Sequence, residues 1–182
     1  IAMPGAGGAL YPQRLLANLD PQAHEIHLIA TRHAREVAQL ELPGGELVVS
    51  PAVTQYTEDG SMFVPFVSGS ARFDAMVVIP ASMGTIGRIA HGVSDGTIAR
   101  AADVFLKERR QLILVPRESP FSLVHLRNLV AVTEAGATVI PANPSFYTQP
   151  QSIEELVDTI TARVLDHLGI DHRLGKRWQS AD

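Results

Sequence analysis

Strand-like and helix-like patterns alternate along the whole chain. Apolar runs at Ala75–Pro80 and Gln111–Pro116 predict strands covered on both faces, as in a parallel sheet. The runs Glu25–Ala30 and Ala137–Pro141 predict two more strands, and Ile1–Met3 has the pattern of a strand end. Helical spacing predicts the helices Ala9–Leu19, Thr31–Leu40, Thr85–Ala90, Thr97–Lys107, Ser122–Ala135 and Ser152–Gly169.

This order of elements predicts an α/β fold, a Rossmann-like, doubly wound parallel sheet in three α/β/α layers. We expect a single domain over residues 1–182, with a peripheral tail from about residue 171. Residues 46–73 are the least regular part, and we expect loop and short pieces there. In such sheets, ligands bind outside the carboxyl ends of the strands, so the loops that follow the strands are expected to carry the chemistry.

Composition excludes several classes of protein. Lys and Arg total 15 and Asp and Glu total 19, and the net charge of −4 argues against general nucleic-acid binding. No apolar run approaches the ~20 residues of a membrane span, and no signal peptide is recognised, so a cytoplasmic location is expected. There is no Cys, and the seven His show no zinc-binding spacing, so no metal is expected. The aliphatic-rich, sparsely charged chain suggests more apolar surface than one small domain buries, and hence oligomerisation.

Two loops offer both a structural and a functional interpretation. Gly5-Ala6-Gly7-Gly8 fits either a plain tight turn or a cradle of backbone N–H groups for a phosphate or a flavin. It lacks the spacing of a dinucleotide-binding fingerprint and of a Walker A loop. Ser82 and Thr85 fit either simple helix capping or hydrogen bonding to a planar cofactor or its phosphate.

Charged and aromatic residues near strand ends suggest an anion site. Arg117 follows a buried strand at the expected ligand edge, where it suits a phosphate monoester, and Glu118 beside it can orient it or handle a proton. Arg100 and Lys107, seven residues apart, share a helix face. Tyr147 is either a packed loop aromatic or a phenol that donates to an anion, and Arg163, on the last predicted helix, would ordinarily be a surface residue.

Taken together, the motifs resemble the flavin prenyltransferase family of the UbiX type, within the FMN-binding flavoproteins related to decarboxylases. The likeness covers nearly the whole chain, and the run Lys107–Phe121 is its most specific part. The matching segments are Pro80–Thr85, Ile89–Gly92, Arg100–Val104, Leu106–Arg110, Leu114–Phe121, His125–Leu126, Pro141–Tyr147 and Ala162–Arg163.

The resemblance implies an enzyme that joins a dimethylallyl group from dimethylallyl monophosphate or diphosphate to N5 and C6 of reduced FMN. The product, prenylated FMN, would serve a partner decarboxylase, and the family assembles as dodecamers with sites at subunit interfaces. Implied FMN-binding residues are Gly5, Ala6, Gly7, Thr31, Ser82, Thr85 and Arg100. Implied donor-phosphate residues are Lys107, Arg117, Tyr147 and Arg163; implied catalytic residues are Glu41, Glu118 and Lys107; and Ser68 and Ser70 match a loop near the prenyl site.

One departure from the family pattern stands in the first loop. Gly7 occupies the position of a family Ser whose hydroxyl is linked with proton handling near flavin N5, and Pro4 replaces a usual Thr. Two alternatives therefore stay open: an FMN-binding carrier with impaired catalysis, and an FMN-dependent cysteine decarboxylase. The second lacks its expected His, because no His occurs between Leu40 and Val78.

Overall fold

The computed structural model describes residues 1–175, and residues 176–182 lie outside the described part. Six parallel strands form one sheet in the order β3-β2-β1-β4-β5-β6. The strands are β1 (Ala2–Met3), β2 (His27–Ala30), β3 (Thr54–Thr57), β4 (Ala75–Ala81), β5 (Gln111–Pro116) and β6 (Thr138–Val139). The helices are α1 (Leu10–Ala17), α2 (Arg32–Glu41), α3 (Met83–Ala90), α4 (Thr97–Lys107), α5 (Leu123–Glu134) and α6 (Ile153–Leu168), with a short 3-10 helix at Pro65–Val67.

The strand order confirms the predicted doubly wound α/β fold. From β1 the chain moves outward through β2 to the edge strand β3, then returns to the centre at β4 and moves outward again to β6. The direction of winding therefore reverses between β1 and β4, and the carboxyl ends of these two strands frame the position where such sheets bind ligands.

The central strands are apolar along their length because helices cover both faces of the sheet. On β4, Met76 and Val78 pack into a core shared with α3 and α4, whereas Val77 and Ile79 point to the opposite face. That opposite face is covered by α1 and α6. Successive strand residues alternate between faces, so a continuous apolar run is what a sheet buried on both sides requires.

Two elements differ from the expectations of the sequence. β3 lies within the stretch expected to be loop and short pieces; its sequence Thr-Gln-Tyr-Thr is mostly exposed at the sheet edge, where no apolar pattern is needed. Helix α3 begins two residues earlier than predicted, at Met83, because the hydroxyl of Ser82 accepts from Thr85 N and caps it. Of the tail expected to be peripheral, Leu174 packs against the core; residues 176–182 lie outside the described residues.

Candidate functional site

A cavity of about 330 Å³ opens at the carboxyl edge of the sheet, at the reversal between β1 and β4. It brings together three hydroxyl residues that the sequence singled out, Thr31, Ser82 and Thr85, although Thr31 lies more than 50 positions from the other two in the chain. Pro4 and the start of α4 complete its wall. The predicted location of the chemistry and the observed cavity therefore coincide.

Two of these hydroxyls cap helices, and the third is hydrogen-bonded to one of them. Thr31 Oγ1 accepts from Ala34 N at 2.9 Å and caps α2. Ser82 Oγ accepts from Thr85 N at 3.3 Å and shares a hydrogen bond of 3.0 Å with Thr85 Oγ1. Capping thus fixes the side chains, and the free amide groups at the start of α3 make this end of the cavity favourable for an anion.

Glu58 is a cavity residue that sequence reasoning missed. Its carboxylate accepts from Thr97 N at 2.8 Å and from Ile98 N at 2.7 Å, and so caps α4 across the cavity mouth. A single Glu in an irregular stretch offers no sequence signal for this contact. Arg88 and Asp95, also in the wall, pair with each other at 3.1 Å.

The glycine loop between β1 and α1 is occupied by a carboxylate of the chain itself. Glu41, the last residue of α2, accepts from Gly8 N and Ala9 N through Oε2, both at 2.7 Å. The loop therefore acts as a cradle of N–H groups, as one interpretation proposed, but these two groups hold Glu41. Binding of the loop to a cofactor stays a prediction for Gly5, Ala6 and Gly7.

Arg117 reaches the same loop from the end of β5. Its Nε donates to the carbonyl of Gly7 at 2.9 Å, so Arg117 and Glu41 both contact the region of the glycine loop. Tyr11 lies nearby; burial raises the pKa of its phenol, and the Arg117 charge acts in the opposite direction. Glu118 is half-buried and accepts from Ser119 N, so its carboxylate is fixed at the same sheet edge.

Lys107 lies at the opposite end of the strands, near the amino end of β5. Helix α4 begins at the cavity and runs back toward the amino end of β5, which places Lys107 four residues before Gln111. There Lys107 pairs with Glu108, and this contact lowers the pKa of the Glu108 carboxyl. A Cβ on Gly69 would collide with the pair, so the Ser68–Ser70 loop lies directly against it.

This second cluster is held by its own hydrogen bonds. Arg110 Nη2 donates to the carbonyl of Gly69 at 2.6 Å, and the hydroxyls of Ser68 and Ser70 lie 2.9 Å apart. The structure thus joins Lys107 to the predicted prenyl-site loop. It separates both from Arg117 by the length of β5, about 20 Å for six residues.

The remaining predicted cations lie on helices. Arg163 Nη1 donates to Asp166 at 2.9 Å on the exposed side of α6, and Arg100 Nη1 donates to Asp103 at 3.0 Å on α4. Ser145 N donates to Thr159 Oγ1, which ties the loop of Tyr147 to α6 one turn before Arg163. Arg163 itself lies further along α6, toward the amino end of β5, where the carbonyl of His167 accepts from Gln111 Nε2.

A larger cavity of about 510 Å³ lies at the amino ends of β2 and β4. None of the predicted site residues lines it. Among the described residues 1–175, no three His, Asp or Glu side chains are grouped so as to hold a metal ion. In the same part of the chain, no helix combines the length and the apolar character needed to cross a membrane.

Comparisons with known proteins agree with the fold. The model of the flavoprotein family matches residues 1–165. A flavin prenyltransferase UbiX from Methanocaldococcus jannaschii is 42% identical over 178 residues, covering 98% of this chain and 96% of that protein. A crystal structure of AnUbiX (PadA1) in complex with FMN and dimethylallyl pyrophosphate superposes with a TM-score of 0.91 at 39% identity, covering 100% of this chain and 96% of the other.

A second solved structure extends the likeness. It is a dodecameric FMN-dependent UbiX-like decarboxylase from Escherichia coli O157:H7, with a TM-score of 0.88 and 37% identity, covering 99% of this chain and 97% of the other. These matches span nearly the full length of this chain and of each matched protein. The shared domain is therefore the whole of the described fold. The chain belongs to the flavoprotein family and, within it, to the flavin prenyltransferases.

Proposed function

We propose that this protein transfers the dimethylallyl group of a dimethylallyl phosphate to N5 and C6 of reduced FMN and delivers prenylated FMN to a decarboxylase. The observation that carries the proposal is the cavity at the switch point of the sheet, lined by Thr31, Ser82 and Thr85, in a chain that matches flavin prenyltransferases over its length. The alternative function, an FMN-binding carrier with impaired catalysis, is distinguished by the experiments below.

The residues of the cavity fit a flavin phosphate. The start of α3 offers backbone N–H groups, Gly84 has no side chain to obstruct an approaching phosphate, and Ser82 and Thr85 supply hydroxyls. The acidic wall residues Glu58 and Asp95 already have partners, so their charges are compensated. When bound, reduced FMN supplies the nucleophilic N5 and C6 atoms.

Replacing Thr85 by valine tests the phosphate end of the cavity. The substitution keeps the shape of the side chain and removes one hydroxyl, and a hydrogen bond to a charged group contributes about 1.5–3 kcal/mol. We expect the Kd for FMN, measured by quenching of flavin fluorescence, to rise about 10-fold or more. Thr133→Val is the matched control, because that hydroxyl donates to the carbonyl of Leu129 in its own helix, away from the cavity; equal affinity losses in both variants would contradict the assignment.

The cations of the chain are suited to stabilise a departing phosphate. Cleavage of the allylic C–O bond leaves negative charge on the phosphate, and fixed guanidinium and ammonium groups lower the energy of that charge. We assign this role to Arg117 at the carboxyl end of β5, to Lys107 near its amino end and to Arg163 on α6, with the phenol of Tyr147 as a further hydrogen-bond donor. Glu41 and Glu118, fixed near Arg117, are placed to accept or return protons.

One copy of the chain cannot bring all of these cations to one phosphate. Lys107 and Arg117 lie beyond opposite ends of β5, which is about 20 Å long. Groups that bind a phosphate stand about 3 Å from its oxygens. Arg163 projects from the opposite helical layer. The proposed site therefore combines the glycine loop and Arg117 of one copy with Lys107 of another.

Exposed apolar side chains indicate where the copies meet. Helix α5 follows directly after the Arg117 loop and exposes Leu123 (61%), Val124 (62%) and Val130 (57%). Exposed apolar side chains on one helix are suited to an interface between copies of the chain. A dodecameric relative of this fold supports an assembly of the same kind for this chain.

The direct test mixes the protein with reduced FMN and dimethylallyl monophosphate without oxygen, and in parallel with the diphosphate. We expect release of phosphate together with a flavin whose mass has gained one prenyl group, and equal turnover after treatment with EDTA, because fixed cations neutralise the donor. If neither donor gives a mass gain, the transferase proposal is wrong. Tight FMN binding in that case would favour the carrier instead.

A further inference from the structure

Arg88 is a cation in the wall of the cavity of about 330 Å³, and neither the sequence motifs nor the family resemblance gives it a role. Of the described residues that line this cavity, Arg88 alone carries a positive charge, whereas Glu58 and Asp95 are acidic. Arg100, the cation that the resemblance implies for FMN, pairs with Asp103 on α4 and does not belong to the wall. The cavity therefore has a cation of its own that needs an explanation.

The guanidinium of Arg88 is turned back toward the start of its own helix, α3. Its Nε donates to the carboxylate of Asp95 at 3.1 Å, and its Nη1 lies 3.5 Å from the position that a Cβ on Gly84 would take. Because a Cβ stands about 2.5 Å from the N of its own residue, Nη1 is no more than about 6 Å from Gly84 N. One phosphate can accept from two donors at that separation, since each donor stands about 2.8 Å from its oxygen.

Arg88 keeps hydrogen-bond donors for a ligand while Asp95 holds it in place. A guanidinium has five N–H donors. Within residues 1–175, the hydrogen bond of Arg88 to Asp95 is made by Nε, and no acceptor meets Nη1 or Nη2. Both side chains of the pair are about half exposed, so an exposed ion pair of this kind contributes little by itself, and a phosphate can approach the outer nitrogens at small cost.

Glu58 closes the other helix terminus in the wall. Its carboxylate accepts from Thr97 N at 2.8 Å and from Ile98 N at 2.7 Å, which are the first amide groups of α4. An anion at that end would have to displace a carboxylate and would lie against its negative charge. The start of α3, beside Arg88, is therefore the end of the cavity that can receive a phosphate.

We infer that Arg88 binds the phosphate of FMN and that Asp95 positions it for this contact. This inference rests on the proposed function, which places the flavin phosphate at the start of α3. A hydrogen bond from a guanidinium to a phosphate is charge-assisted and roughly twice as strong as a neutral one. Arg88 thus makes the cavity select a flavin that carries a phosphate over one that lacks it.

The test compares FMN with riboflavin, which has the same ring system and no phosphate. We expect Arg88→Gln to raise the Kd for FMN about tenfold and to change the Kd for riboflavin less than twofold, both measured by quenching of flavin fluorescence. Arg72→Gln is the matched control and should change neither value, because Arg72 is exposed and lines the larger cavity at the amino ends of the strands. Equal losses for the two flavins would give Arg88 a structural role and overturn the inference.

A second comparison separates contact with the phosphate from simple neutralisation of Asp95. In an Asp95→Asn background the amide oxygen still accepts from Arg88 Nε, but the negative charge is absent. We expect Arg88→Gln to cost the same factor of about ten in FMN affinity there. A loss below twofold in that background would show that Arg88 only cancels the charge of Asp95, and the inference would be wrong. Both comparisons measure binding alone, so a protein that binds FMN without transferring a prenyl group contradicts the proposed function while the affinities still decide the role of Arg88.

Discussion

Lys107→Ala and Arg117→Ala each lower prenyl transfer by about 100-fold or more, yet a hybrid assembly of the two variants regains activity. Each substitution removes one cation from the departing phosphate, a loss of several kcal/mol in transition-state stabilisation. The two residues lie at opposite ends of β5, so a working site takes Arg117 from one copy and Lys107 from another. Random co-assembly of equal amounts leaves about a quarter of the sites intact.

The matched control mixes two variants whose substitutions both lie at the carboxyl ends of the strands. Arg117→Ala and Glu41→Gln both alter the site around the glycine loop, so every hybrid site keeps one defect and no activity should return. Variants are refolded or co-expressed together, hybrid assembly is verified by native mass spectrometry, and phosphate release is measured. Failure of the Lys107/Arg117 pair to regain activity in verified hybrids would contradict a site shared between copies.

Glu41→Gln slows the reaction by about 10² to 10⁴-fold while FMN affinity changes little. The amide oxygen of glutamine can still accept from Gly8 N and Ala9 N, so the loop keeps its shape. The negative charge and the capacity to take a proton are lost, and general base catalysis contributes a factor of this size. The measurements are single-turnover rates of prenyl transfer and the Kd for FMN.

Glu36→Gln provides the control for this variant, because Glu36 lies on the same helix and pairs with Arg32 and His33 at the surface. It should retain the full rate. A Glu41→Gln variant with unchanged rate would assign proton transfer to another group, and Glu118 would be the next candidate. A large rise in the Kd for FMN would instead give Glu41 a structural role in the loop.

The sequence predicted the sheet well where burial dictates residue type. β4 and β5 are apolar because both of their faces are covered, and that pattern identified them. β3 escaped prediction because an exposed edge strand needs no apolar face. Thr31 and Ser82 directly follow strands and Thr85 lies in the first turn of the next helix, so the general rule for ligands in such sheets predicts their place at the cavity.

The contacts of charged side chains with distant backbone groups could not be predicted in the same way. Glu41 meets the glycine loop 33 residues away, and nothing in its local sequence indicates this. The cap formed by Glu58 on α4 is equally remote, 39 and 40 residues from its partners. The separation of Lys107 from Arg117, by contrast, follows from chain order, because a helix that precedes a parallel strand must end near the start of that strand.

The contact of Glu41 with the glycine loop also bears on how strongly the protein can bind its cofactor. Three of the four residues in Gly5-Ala6-Gly7-Gly8 are glycines, which lose the most conformational entropy when they become ordered. Fixing the backbone costs about 1–2 kcal/mol per residue. Glu41 and Arg117 already hold this loop in the folded protein, so the entropy cost of ordering it is part of the free energy of folding. That cost does not weaken the binding of a flavin.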